Sequence, residues 1–82
     1  MITVLYFARL REQLGLSRET VDAVEGETLH QLVKRLVAVK DSNAEVLFAE
    51  DTQAAINQEI AEPSAIVSDG DEVAFFPPVT GG

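Results

Sequence analysis

At 82 residues, with 46% hydrophobic and 24% charged side chains, the chain has the make-up of one small soluble domain, and no apolar run approaches the ~20 residues of a membrane span. A formal net charge of −8 argues against nucleic acid, because phosphates would be repelled and no counterions released; a basic protein partner and plain solubility are the two open readings of that acidity. The absence of cysteine excludes disulfides, thiolate metal sites, a cysteine nucleophile and a persulfide carried on the chain itself.

Met1 leads directly into an apolar strand pattern without a basic flank or cleavage site, so a cytoplasmic location is expected. Residues Ile2 to Ala8 are β-branched and aromatic, with apolar side chains at both parities after Thr3. That pattern predicts a central strand with material on two faces. Arg9 to Leu16 then reads as a short helical turn, Leu10 and Leu14 on one side and Gly15 as a left-handed cap. Arg9 and Arg11 are conspicuous cations on an acidic chain, either solvated or paired with a partner. Arg18 to Val24 predicts a second strand, joined to the first by a hairpin-like connection, and Glu25-Gly26-Glu27 a turn.

Thr28 opens the clearest helix. Thr28 and Gln31 have capping-box spacing, and Leu29, Leu32, Val33, Leu36 and Val37 form one stripe. His30, the sole histidine, sits beside that stripe without a second ligand and reads as a surface residue. Asp41-Ser42-Asn43 breaks the helix, and Asn43 is a candidate cap for a short segment with Val46, Leu47 and Phe48 inward, ending around Glu50-Asp51. A short strand follows over Ala54-Ala55-Ile56-Asn57, then a tight turn at Asn57-Gln58-Glu59 leading to Ile60-Ala61. Beyond Pro63, Ala65-Ile66-Val67 is a brief strand or turn, Ser68-Asp69-Gly70-Asp71 a turn, and Glu72 to Phe76 the last strand. The Asp69-Gly70-Asp71-Glu72 cluster lacks the spaced ligands of a calcium loop and reads as a solvated turn. The order is ββαβ(β)β, an α+β layout in which one main helix covers a small mixed sheet: a β-grasp domain over 1–76.

Residues 77–82 form an extended tail. Pro77 and Pro78 cannot continue a ladder and favour an extended form rising ~3.1 Å per residue, while Val79, Thr80, Gly81 and Gly82 offer little to block entry into a narrow site. No convincing nucleophile, tuned base, metal cluster or phosphate cradle is legible elsewhere. The chain therefore reads as one that is acted upon or that binds, with no cofactor of its own. Its remaining handle is the α-carboxylate of Gly82, which becomes reactive once joined to a nucleotide phosphate as an acyl-adenylate.

The opening Ile2 to Glu12, the Ala55-Ile56-Asn57-Gln58 segment and the ending Asp69 to Gly82 resemble the small subunit of molybdopterin synthase, a ubiquitin-like sulfur carrier. The resemblance spans the chain, is most specific at Phe75-Phe76-Pro77-Pro78-Val79-Thr80-Gly81-Gly82 and carries least between Lys40 and Gln53. It implies a β-grasp fold and a terminal Gly82 that an adenylyltransferase related to ubiquitin-activating enzymes charges with ATP. A sulfur donor protein then supplies the sulfur of a thiocarboxylate. The tail, Pro77 to Gly81, inserts into the large subunit, which holds the catalytic groups, and sulfur passes to the dithiolene of molybdopterin. Two carriers on a dimer of large subunits make a heterotetramer.

By the same resemblance Phe7, Ile60 and Phe76 form an exposed patch that docks partners, with Arg11 pairing an acidic group. Core packing is the competing reading for each apolar member, and Phe75, opposite in parity to Phe76, is expected inside. Alternative functions of the same fold are a carrier for thiamine or tRNA thiolation, a protein modifier, or a non-catalytic interaction module.

Overall fold

A computed structural model describes residues 1–39, 46–47, 49 and 51–78. Its elements are β1 (Ile2–Tyr6), α1 (Arg9–Leu14), β2 (Arg18–Val21), α2 (Leu29–Val39), β3 (Gln53–Ile56), β4 (Glu59–Ile60) and β5 (Glu72–Phe76), and the five strands form one sheet in the order β2-β1-β5-β3-β4. β1 and β5 are parallel at its centre; the other neighbours are antiparallel. This is the expected mixed sheet with one main helix.

Alternation divides the central strands. Ile2, Val4, Tyr6, Val73 and Phe75 are buried on the face that meets Leu29, Leu32, Val33 and Leu36 of α2. The amphipathic stripe read from the sequence is the stripe that packs. The capping box forms reciprocally: Thr28 N–H donates to Gln31 Oε1 at 2.9 Å and Gln31 N–H to Thr28 Oγ1 at 3.2 Å. Leu47 is buried and Val46 packs against the core, as expected, while Lys40, Asp41, Ser42, Asn43, Phe48 and Glu50 fall outside the described residues.

Several boundaries differ from expectation. β1 ends at Tyr6 because Ala8 adopts φ 53, ψ −131, which turns the chain into α1. The connection from β1 to its antiparallel neighbour β2 is the expected helical turn; the helix itself closes at Leu14, with Gly15 at φ 73 donating its N–H to Arg11 O at 2.9 Å. β2 stops at Val21, before Val24, as its register with β1 runs out at Ile2. The stretch around Ile66 contributes one antiparallel bridge to Thr28.

Two polar clusters staple the end of the sheet where β5 begins. Asn57 and Gln58, at φ 51 and 71, make the primed turn that suits a two-residue hairpin. Asn57 Oδ1 accepts from Glu72 N–H at 3.0 Å, and its Nδ2 donates to Asp71 Oδ1 at 3.0 Å. Asp69 pairs with the Met1 amine, whose hydrogen bond and then charge hold the Asp69 carboxyl below the ordinary range. The acidic turn is spent on these structural bonds. Arg35 clamps the other flank, with Nε and Nη2 donating to the nearly buried Glu27 carboxylate at 3.0 and 2.9 Å and Nη2 also to Asp22 O at 2.7 Å.

Candidate functional site: the outer sheet face and the tail root

The face of the sheet turned away from α2 follows from register alone. Arg18 lies opposite Leu5, Leu5 opposite Ala74, Ala74 opposite Ala55, and Ala55 opposite Ile60. One cross-strand row therefore runs from a cation on β2 to an isoleucine on the edge strand, over a floor of two alanines. Ile60 is 69% exposed at its end.

The next row toward the tail holds Phe76, paired with Gln53 on β3. Phe7 follows Tyr6, the partner of Phe75, and its N–H donates to Phe75 O at 3.1 Å, so the parallel ladder carries on to Phe7 beside Phe76. Phe7 is 46% exposed and Phe76 part-buried. Parity alone could not assign these faces. Pairing does: Tyr6 and Phe75 stack within the core with ring centroids 5.9 Å apart, which sends their neighbours Phe7 and Phe76 to the opposite side. Ile60 stands two strands and two residues from Phe76, about 12 Å away, so the three apolar side chains share a face without forming one contact cluster.

Tyr6 closes the inner layer near this end. Its Oη donates to Glu19 Oε2 at 2.6 Å, and burial, with the carboxylate as a second cause, pushes the phenol well above its ordinary value. Arg11 is exposed on α1, and among the described residues it makes no ion pair. Arg9 is paired: Nη2 donates to Asp51 Oδ2 at 2.8 Å. Sequence reasoning singled out Arg9 but had no means of finding Asp51, which lies 42 residues away.

β5 runs off the sheet into Pro77 and Pro78, both part-buried; Val79, Thr80, Gly81 and Gly82 lie outside the described residues. A cleft of about 680 Å³ occupies the other end of the sheet, lined by residues including Met1, Asp22, Val67 and Asp69, remote from the tail root.

The profile of the ThiS family matches residues 4–82. The chain belongs to the ThiS family. Among its relatives is the molybdopterin synthase sulfur carrier subunit of Escherichia coli K12, 43% identical over 82 residues and covering 100% of both chains. The protein of the same description from Haemophilus influenzae is 40% identical over 86 residues, again with 100% of both chains covered. Among solved structures, SAMP1 from Haloferax volcanii superimposes with a TM-score of 0.78 at 26% identity, covering 99% of this chain and 98% of that one. The β-grasp fold expected from the sequence is the fold of this ThiS-family member. Among the described residues no helix is long and apolar enough to cross a membrane.

Proposed function

We propose that this chain is the sulfur carrier subunit of a molybdopterin synthase. The observation that carries the reading is the full-length likeness to carriers of that description at up to 43% identity. The geometry is compatible with it: a central strand leads straight into Pro77 and Pro78, neither of which has an N–H to donate to a ladder.

In this reading an ATP-using, ubiquitin-activating-type adenylyltransferase joins AMP to the Gly82 carboxylate and releases pyrophosphate. Sulfide supplied by a donor protein attacks the acyl carbon, AMP leaves, and a thiocarboxylate remains. The tail from Pro77 to Gly81 delivers it into the large subunit, whose residues catalyse transfer to the pterin dithiolene. Phe7, Ile60 and Phe76 supply apolar area on the docking face, and Arg11 meets an acidic group of the partner. Tethered presentation raises the effective concentration of the acyl group, which is what a carrier contributes to the rate. A cytoplasmic heterotetramer of two carriers and two large subunits completes the proposal.

Intact mass tests it. Incubation with the activating enzyme, ATP and a sulfur source is expected to add the mass difference of one oxygen exchanged for sulfur, located at Gly82, and adding the large subunit with the pterin precursor is expected to discharge it. An unchanged mass refutes the carrier, and a charged chain that the large subunit cannot discharge points to thiolation of another substrate. One residue added after Gly82 should abolish charging while leaving the melting temperature unchanged.

A further inference from the structure

An ion pair lies at the end of the sheet from which the tail departs. Arg9 follows β1 and Asp51 precedes β3, and these two strands flank β5 on either side. Adjacent strands lie about 4.8 Å apart, so β1 and β3 stand about 10 Å apart with β5 between them. The Arg9 guanidinium nonetheless reaches the Asp51 carboxylate at 2.8 Å. The pair therefore links segments that follow and precede the two strands flanking β5, at the end where β5 continues into Pro77 and Pro78. Neither proline has an N–H to anchor it in a ladder, yet both are part-buried. Local helix preference does not account for Arg9, since a cation in the first turn meets the positive end of the backbone dipole; the ion pair with Asp51 does.

We propose that Arg9 and Asp51 are positioning residues whose ion pair closes over the tail root and holds Pro77-Pro78 to one exit direction. The role rests on the sulfur-carrier reading, because direction matters only if the tail must enter a partner's site in one pose. Side-chain exposures of 52% and 53% leave the pair open to solvent, so it is a light clasp that fixes the tail's aim without locking it. Misaimed tails would still dock through the sheet face. They would present the acyl end to the reacting centre less often, and that separates a rate effect from an affinity effect.

The test compares thiocarboxylated wild type with Arg9→Ala, Asp51→Ala and the exchanged pair Arg9→Asp/Asp51→Arg, each assembled with the large subunit. Single substitutions are expected to slow single-turnover sulfur transfer about three- to fivefold while Kd stays within about twofold, and the exchanged pair to recover most of the rate. Carbon-13 relaxation at Pro77 and Pro78 in the free protein should show both prolines loosened by the single substitutions and restored by the exchange. Unchanged transfer in the singles, a raised Kd with normal transfer, or an exchanged pair as slow as the singles overturns the proposal. If wild type transfers no sulfur, the carrier reading falls. Proline relaxation then decides the clasp alone: loosening in the single variants supports it and unchanged relaxation refutes it.

Discussion

Ile60→Ala separates docking from folding most cleanly. Fully burying an isoleucine side chain contributes about 1.5–3 kcal/mol. Ile60 is 69% exposed in the free chain, so a partner that covers it completely gains about 1–2 kcal/mol from the part still in water. Truncation should therefore weaken binding to the large subunit about 5- to 30-fold, with the methyl that alanine keeps favouring the lower end. The fold should hardly notice, because the side chain lies on a two-residue edge strand and surface substitutions of this kind change stability by about 0.5 kcal/mol or less.

Phe75→Ala is the opposite control. It empties a site that is 2% exposed and should cost about 3–5 kcal/mol, a large share of the about 4–12 kcal/mol that an 82-residue domain has. Calorimetric titration gives Kd and a melting curve gives Tm. A normal Kd for Ile60→Ala would remove Ile60 from the docking face, and a fall of more than a few degrees in Tm would show that it supports the fold instead.

Tyr6 is the sole tyrosine, so phenolate absorbance reports on it alone. Its folded pKa lies above the ordinary value of about 10, hence stability is full below that pH and declines above it; ionisation should appear only together with alkaline unfolding, and a free titration near 10 in the folded protein would contradict the burial. Arg35→Ala leaves the Glu27 carboxylate, 6% exposed, without its cation, and should cost about 2–3 kcal/mol, less than the about 3–5 kcal/mol of a fully buried pair because Arg35 is itself 30% exposed. A loss of Tm under about 5 °C would show the clamp to be marginal. Gln58→Gly relieves a side chain held at φ 71 and should raise Tm by about 3–6 °C after the entropy cost of glycine is subtracted; a lowered Tm would mean that the turn is not strained.

What could be read locally was read correctly where neighbouring residues decide the outcome. The capping box at Thr28 and Gln31, the stripe of α2, the left-handed cap at Gly15 and the turn at Asn57-Gln58 each depend on a few consecutive residues, and all four form. Apolar side chains at both parities marked β1 as central, and it lies between β2 and β5. The likeness of the whole chain to sulfur carriers was legible too, because its ending is specific in both composition and order.

Other features were settled only when distant segments met. The parallel pairing of the first and last strands fixes which of Phe75 and Phe76 faces α2, and a period of two cannot choose a face until a partner strand sets the register. Ala8 departs from the extended region because the chain must leave the sheet there, a demand absent from its own side chain. The Arg9–Asp51 bridge joins residues whose separation along the chain carries no local signal. Short-range chemistry determined the elements of this protein; the placement of its outer face and tail root came from long-range closure, since only a completed sheet brings those residues within reach of one another.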